Sequence, residues 1–112
     1  MPYPRVDDDG RTVTLDLHGA SVDEALLLAR RCVHEAARRG RHTVKIIHGQ
    51  STSSGSYANR TIKTALYDLL DHDALGDAIT HAWRADGHLL LSLDVTAATN
   101  TAPIRLFDLS TP

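Results

Sequence analysis

The 112-residue sequence predicts an α/β fold: a two-layer sandwich of order β-α-β-α-β-β, with a mixed four- to five-stranded sheet and both helices on one face. Three observations carry this. Residues 11–18 alternate, with Val13, Leu15 and Leu17 against Thr12, Thr14, Asp16 and His18, the period of a strand with one buried face and one wetter face. The next stretch repeats its apolar residues at helical spacing and leads to a second apolar run at residues 43–47, so it is a crossover that makes the two strands parallel. Because the first strand alternates and is not uniformly apolar, the helices are expected to cover one face only.

Residues 1–10 carry two prolines and Asp7-Asp8-Asp9 and read as an irregular arm before a domain at 11–94. Ser21 and Glu24 form a capping-box pattern. The helix it opens runs to about Arg39, with Ala25, Leu28, Ala29, Cys32, Val33 and Ala36 as its apolar stripe and Gly40 as its stop. A second helix, residues 58–70, buries Ile62, Leu66, Leu69 and Leu70. Residues 78–85 and 88–94 read as strands joined by a hairpin turn at Asp86-Gly87, with Leu90 as an apolar exception to the alternation. The remainder, 95–112, reads as a Thr/Ala-rich loop with a last edge strand or ordered tail at 104–109.

The formal charge of −2 and the isoelectric point near 6.3 exclude a domain that holds duplex DNA by bulk positive charge, but leave room for a local basic patch. Cys32 stands alone, so no intrachain disulfide forms and a reducing compartment fits. No run approaches a membrane span and no signal-peptide core is present, so the expected location is the cytoplasm.

The chemistry-bearing residues converge at one edge. The two parallel strands end at His18-Gly19 and His48-Gly49, and ligands of such sheets bind outside the carboxyl ends of the strands. Gly49, Gln50, Ser51, Thr52, Ser53 and Gly55 form a hydroxyl-rich loop feeding the second helix, a combination that holds phosphate through backbone N–H groups and the helix N-terminus. Ordinary loop composition would look similar; the topological convergence favours a site.

Leu15-Asp16-Leu17-His18-Gly19, Glu24-Ala25, Ile46-Ile47-His48-Gly49 and Arg60 together resemble the Smr (small MutS-related) domain, in its stand-alone form, over about residues 12–93. The resemblance implies a β-α-β-α-β-β sandwich and an endonuclease that nicks or cleaves DNA, RNA or both, or a nucleic-acid binder. Members also occur as tails of mismatch-repair-related and ribosome-associated proteins, which connects the family to DNA repair. The family's second motif is HGxG; here Ser51 stands in place of the second glycine.

On this reading Asp16, His18 and His48 are the candidate catalytic residues, since histidine titrates near neutrality and a neighbouring carboxylate can orient it. The loop residues Gly49 to Ser53 and Gly55, with Tyr57, Arg60 and Lys63, are the candidate nucleic-acid contacts: cations for phosphates, an aromatic ring for a base. No cofactor is called for, although Asp16, His18 and His48 have donor types that suit magnesium or manganese. Arg30, Arg31, Arg38, Arg39 and Arg41 would extend a phosphate track or simply face solvent. Cys32 and Trp83 are assigned to the core, and His34, His42, His72 and His88 have no partners in the pattern. Two other readings stay open: a nucleic-acid-binding module without catalysis, and a binder or hydrolase of small phosphorylated molecules. The partner is DNA or RNA, not a membrane, and the sequence leaves the oligomeric state open.

Overall fold

The computed structural model describes residues 4–49, 61–94 and 102–110. Its elements are β1 (Arg5–Asp8), β2 (Thr12–Asp16), α1 (Val22–Arg38), β3 (Thr43–Ile47), α2 (Ile62–Asp71), β4 (Ile79–Arg84), β5 (His88–Leu93) and α3 (Leu106–Ser110). The five strands form one sheet in the order β1-β2-β3-β5-β4, with β2 and β3 parallel and the other pairings antiparallel. This is the expected mixed two-layer sandwich.

Side-chain alternation sorts the sheet into two faces. Val13, Leu15, Val44, Ile46, Leu89 and Leu91 have no exposed surface and pack against Ala25, Ala29, Cys32, Val33 and Ala36 of α1 and Leu66 of α2. Burial pushes the Cys32 thiol up to about 12, with the Asp8 charge adding to it, so Cys32 is an inert core residue. The other face presents Thr14, Asp16, Lys45, Ile47, His88 and Leu90.

The helix ends follow local chemistry. Ser21 Oγ accepts the Glu24 N–H at 3.1 Å, but only this half of the expected capping box forms at α1. The reciprocal box belongs to α2, where Thr61 and Thr64 exchange both bonds at 3.1 Å. At the end of α1, Gly40 N–H donates to Ala37 O and Arg41 N–H to Ala36 O, the paired bonds of a Schellman stop.

Four expectations are corrected. The N-terminal segment is not an irregular arm throughout: residues 5–8 are an edge strand paired with β2. β2 stops at Asp16, two residues before His18. The second helix begins at Ile62; residues 58–60 of its expected first turn lie outside the described residues. Residues 106–110 are a short helix and not an edge strand, and Ile104 and Leu109 enter the core with 2% and 0% exposure.

That C-terminal segment is held by Arg31, Arg39 and Arg41, for which the sequence left open a phosphate track or a solvated face. Arg41 has 1% of its side chain exposed; its Nε donates to both Asp8 oxygens at 2.9 and 3.1 Å, Nη1 to Arg39 O and Nη2 to Ala102 O. Asp8 also accepts the N–H groups of Ile104 and Gly10. Arg39 donates to Ala102 O and Pro103 O, and Arg31 to Leu109 O. These are structural side chains, not a nucleic-acid track.

Candidate functional site

The parallel pair brings two strand–His–Gly turns side by side. Asp16 is in register with Ile47, and the Leu17 N–H continues the ladder to Ile47 O at 2.9 Å. Gly19 and Gly49 then take left-handed backbone, with φ of +83° and +80°. A Cβ on Gly49 would meet nothing within 4 Å, so this position needs glycine for its conformation and not for space. The His48 and Gly49 N–H groups both donate to Gly87 O, at 3.1 and 3.0 Å, which fastens the β4–β5 turn to the end of β3.

The two histidines have different surroundings. His18 is largely exposed. Asp16 Oδ1 accepts its backbone N–H at 3.0 Å and lies 3.9 Å from its Nδ1, so the carboxylate both braces the turn and stands beside the ring. His48 is half-buried. Its Nδ1 lies 2.7 Å from Gly49 O, a contact that requires the proton on Nδ1 and therefore leaves Nε2 as the lone-pair nitrogen. That Nε2 is buried without a hydrogen-bond partner among the described residues. Burial lowers the His48 pKa; hydrogen bonding with the Gly49 and His88 backbone opposes the shift, and electrostatic repulsion from the Lys63 and His88 side chains reinforces it. A neutral imidazole with an unsatisfied acceptor is a group prepared to take a proton or a hydrogen bond.

A basic aromatic cluster adjoins it. The Tyr67 ring meets His48 edge-on, with centroids 6.0 Å apart and planes at 88°. The Arg84 guanidinium lies 4.8 Å from the Tyr67 centroid and Lys63 Nζ lies 5.9 Å from it. Tyr67 O–H donates to Ala85 O and Arg84 pairs with Asp71, so both side chains are oriented. On the open face, Asp16 helps line a cleft of about 420 Å³ with Arg5, Val6, Asp7, Thr14 and Ile47. A larger depression, about 600 Å³, lies between α1 and the segment after α2 and includes none of the strand-end residues.

Of the expected site residues, the structure therefore places Asp16 beside His18, His48 beside Gly49, and Lys63 near His48 through Tyr67. Gln50, Ser51, Thr52, Ser53, Gly55, Tyr57 and Arg60 lie outside the described residues. Tyr67, Arg84 and His88 were not singled out. Tyr67 follows Lys63 by four residues on a helix, which marks the two as neighbours. Arg84 and His88 reach the site only because β5 pairs with β3, a long-range fact. Trp83 is 50% exposed and not a core residue. Among the described residues no group of three or more His, Cys, Asp and Glu side chains gathers at positions that could hold a metal.

Comparison with known proteins identifies the family and the fold. The Smr domain family model matches residues 15–89, and the chain belongs to that family. Smr domains in general bind or nick nucleic acids. Among solved structures, the crystal structure of the Smr domain of Thermus thermophilus MutS2 is similar in fold, with a TM-score of 0.54 at 22% identity, covering 75% of this chain and 98% of that one. A comparison with curated proteins found no match. No helix among the described residues is long and apolar enough to cross a membrane.

Proposed function

We propose that this Smr domain is an endonuclease that hydrolyses phosphodiester bonds of DNA, RNA or both, working in the cytoplasm. The observation that carries the reading is His48: neutral, half-buried, its Nε2 without a partner among the described residues, at the carboxyl end of a parallel strand, with the Lys63 charge acting on it and Tyr67 linking it to Arg84. In this mechanism His48 Nε2 accepts the proton of the attacking water, or of the adjacent 2′-hydroxyl in RNA. A P–O bond forms, the opposite P–O bond breaks, and His18, held by Asp16, protonates the leaving oxygen. Each proton transfer contributes roughly 10²–10⁴ in rate. Lys63, with Arg60 and the loop Gly49 to Gly55, holds the phosphate and offsets its added charge in the transition state.

The test is cleavage of end-labelled single-stranded RNA and of supercoiled DNA, with magnesium, manganese or chelator, by wild type and His48→Ala. Cleavage that disappears in the variant supports the reading, and the chelator lane decides whether a divalent ion takes part. Cleavage that survives in a His18→Ala, His48→Ala double variant would overturn it. A second reading, binding without catalysis, is favoured by Ser51 in place of the family glycine. It predicts salt-sensitive retardation of oligonucleotides with no product under any metal condition.

A further inference from the structure

Proton chemistry at the strand ends accounts for neither the exposed tryptophan nor the face it occupies. The paired registers place Thr14, Lys45, Leu90 and Trp83 in one row across the face opposite α1 and α2, from β2 to the edge strand β4. The adjacent rows hold Asp16, Ile47 and His88 on one side and Thr43, Ser92 and His81 on the other. Trp83 is 50% exposed, and its ring lies 4.3 Å from the His81 ring, tilted at 53°. The β3–β5–β4 part of this face thus carries two aromatic rings at its edge, apolar Leu90 and Ile47 between, and Lys45 and His88 beside them. It has no carboxylate in its paired positions; Asp94 comes only after the last residue of β5. The acidic residues of the face, Asp7 and Asp16, are confined to β1 and β2.

We propose that this face is a track for single-stranded nucleic acid, with unstacked bases laid on Trp83 and His81 and the backbone passing Lys45. The proposal rests on the nucleic-acid reading of the strand-end site and gives it a substrate class. Three features select this occupant. Stacking on a sheet-borne aromatic ring requires a base freed from a duplex, whereas a helical duplex presents phosphates to a flat surface. The charge of this half complements a phosphate backbone and would repel a basic partner. The track is also continuous with the site, because His88 is in register with Ile47, the residue before His48. A strand lying over Trp83 and Leu90 reaches the β3 end by moving one row.

The sequence contains one tryptophan, so selectively excited tryptophan emission reports on this position alone. Titration of the full chain with oligo(U) or oligo(dT) of about 12 nucleotides, a length within the usual site size of single-strand binders, is expected to quench Trp83 emission saturably. A matched duplex at equal phosphate concentration should not. Loss of one base stack in Trp83→Ala should weaken retardation of the same oligonucleotide by roughly 5- to 150-fold, and Trp83→Phe should restore most of it. His48→Ala should keep the quenching whether or not it abolishes cleavage. If oligonucleotide is retarded or cleaved while Trp83 emission and the Trp83→Ala affinity stay unchanged, the track is wrong and the strand-end site stands. If duplex quenches as well as single strand, or emission shifts with protein concentration alone, the face takes duplex or a second copy of the chain and the proposal fails. If no oligonucleotide is bound or cut, the nucleic-acid reading fails and the track with it.

Discussion

The two ends of the parallel strand pair both bury a titratable side chain, and they treat it in opposite ways. At the amino-terminal end Arg41 and Asp8 form an ion pair in which the Arg41 nitrogens reach Asp8, Arg39 O and Ala102 O, while Asp8 collects two further N–H groups. At the carboxyl end His48 satisfies one nitrogen on its own neighbour, and the other has no partner among the described residues. A buried polar group whose bonds are met inside the chain makes a fixed joint; one whose bonds are not met is an unfilled acceptor. The same distinction separates the two strand-end histidines. His18 and His48 share a local pattern of strand, His and left-handed Gly, yet His18 is largely exposed while His48 packs edge-on against Tyr67 and is shifted below its ordinary pKa.

The largest test of this contrast is a double dissociation. His48→Ala should lower cleavage by roughly 10²–10⁴ and change the denaturant midpoint little, because it removes an unsatisfied buried atom. Arg41→Met should destabilise the fold by about 3–5 kcal/mol by leaving Asp8 charged and unpaired, while cleavage per folded molecule is retained. The Asp8→Leu, Arg41→Met double variant should recover much of that loss; a double variant no more stable than the single one would mean that the pair is not the joint described.

Acid titration of stability sharpens the contrast by placing the two ends in separate pH windows. The lowered His48 pKa means that the unfolded chain takes up this proton first as pH falls. The contribution of His48 is therefore complete above its ordinary value near 6.5 and is lost as pH falls below it toward the folded value. For Asp8, burial alone would raise the pKa, but the bonds from Arg41, Ile104 and Gly10 outweigh it and hold the carboxyl below 3.8; its contribution is lost only under that value. Thermal unfolding followed from about pH 7.5 downward should show an early decrement that His48→Phe removes and a late one that the Asp8, Arg41 double variant removes. An early decrement that persists in His48→Phe would assign it to another group.

The next effect is on the rate profile. Lys63 lowers the His48 pKa through its charge, so Lys63→Gln should move the acidic limb of kcat/KM toward higher pH. A limb that stays in place would remove His48 as the titrating base. The smallest expected effect is that of His18→Ala on stability, within about 0.5 kcal/mol because the ring is exposed; a substantially larger loss of thermal stability would show that Asp16 and His18 are part of the fold's framework.

Much of the fold was legible because its signals are local. The 3.6-residue stripe from Ala25 to Ala36, the alternation of Val13, Leu15 and Leu17, and the Asp86-Gly87 turn each state an element within a few residues. β1 was missed although Asp9-Gly10 is itself a hairpin signal, since Arg5 to Asp8 contains one apolar residue and draws its stability from pairing with β2. Trp83 was misassigned for a geometric reason. Ile79, His81 and Trp83 share a parity and would share a face on a regular strand, but the register shifts between Ile79 and His81. That irregularity turns Ala82 toward the helices and Trp83 to the open face, and a composition reading has no means of seeing it.

By itself the sequence determined the two longer helices, the strands β2 to β5 and the parallel central pair, and hence the edge proposed for a ligand, because periodicity, capping and crossover connectivity are properties of short stretches. Only the tertiary structure decided which histidine is buried, which arginines are joints and which face of the sheet stays open. Those depend on Tyr67, Ala102 and the β4 irregularity meeting residues remote in the chain, and the environment that sets a side chain's chemistry is made by such meetings.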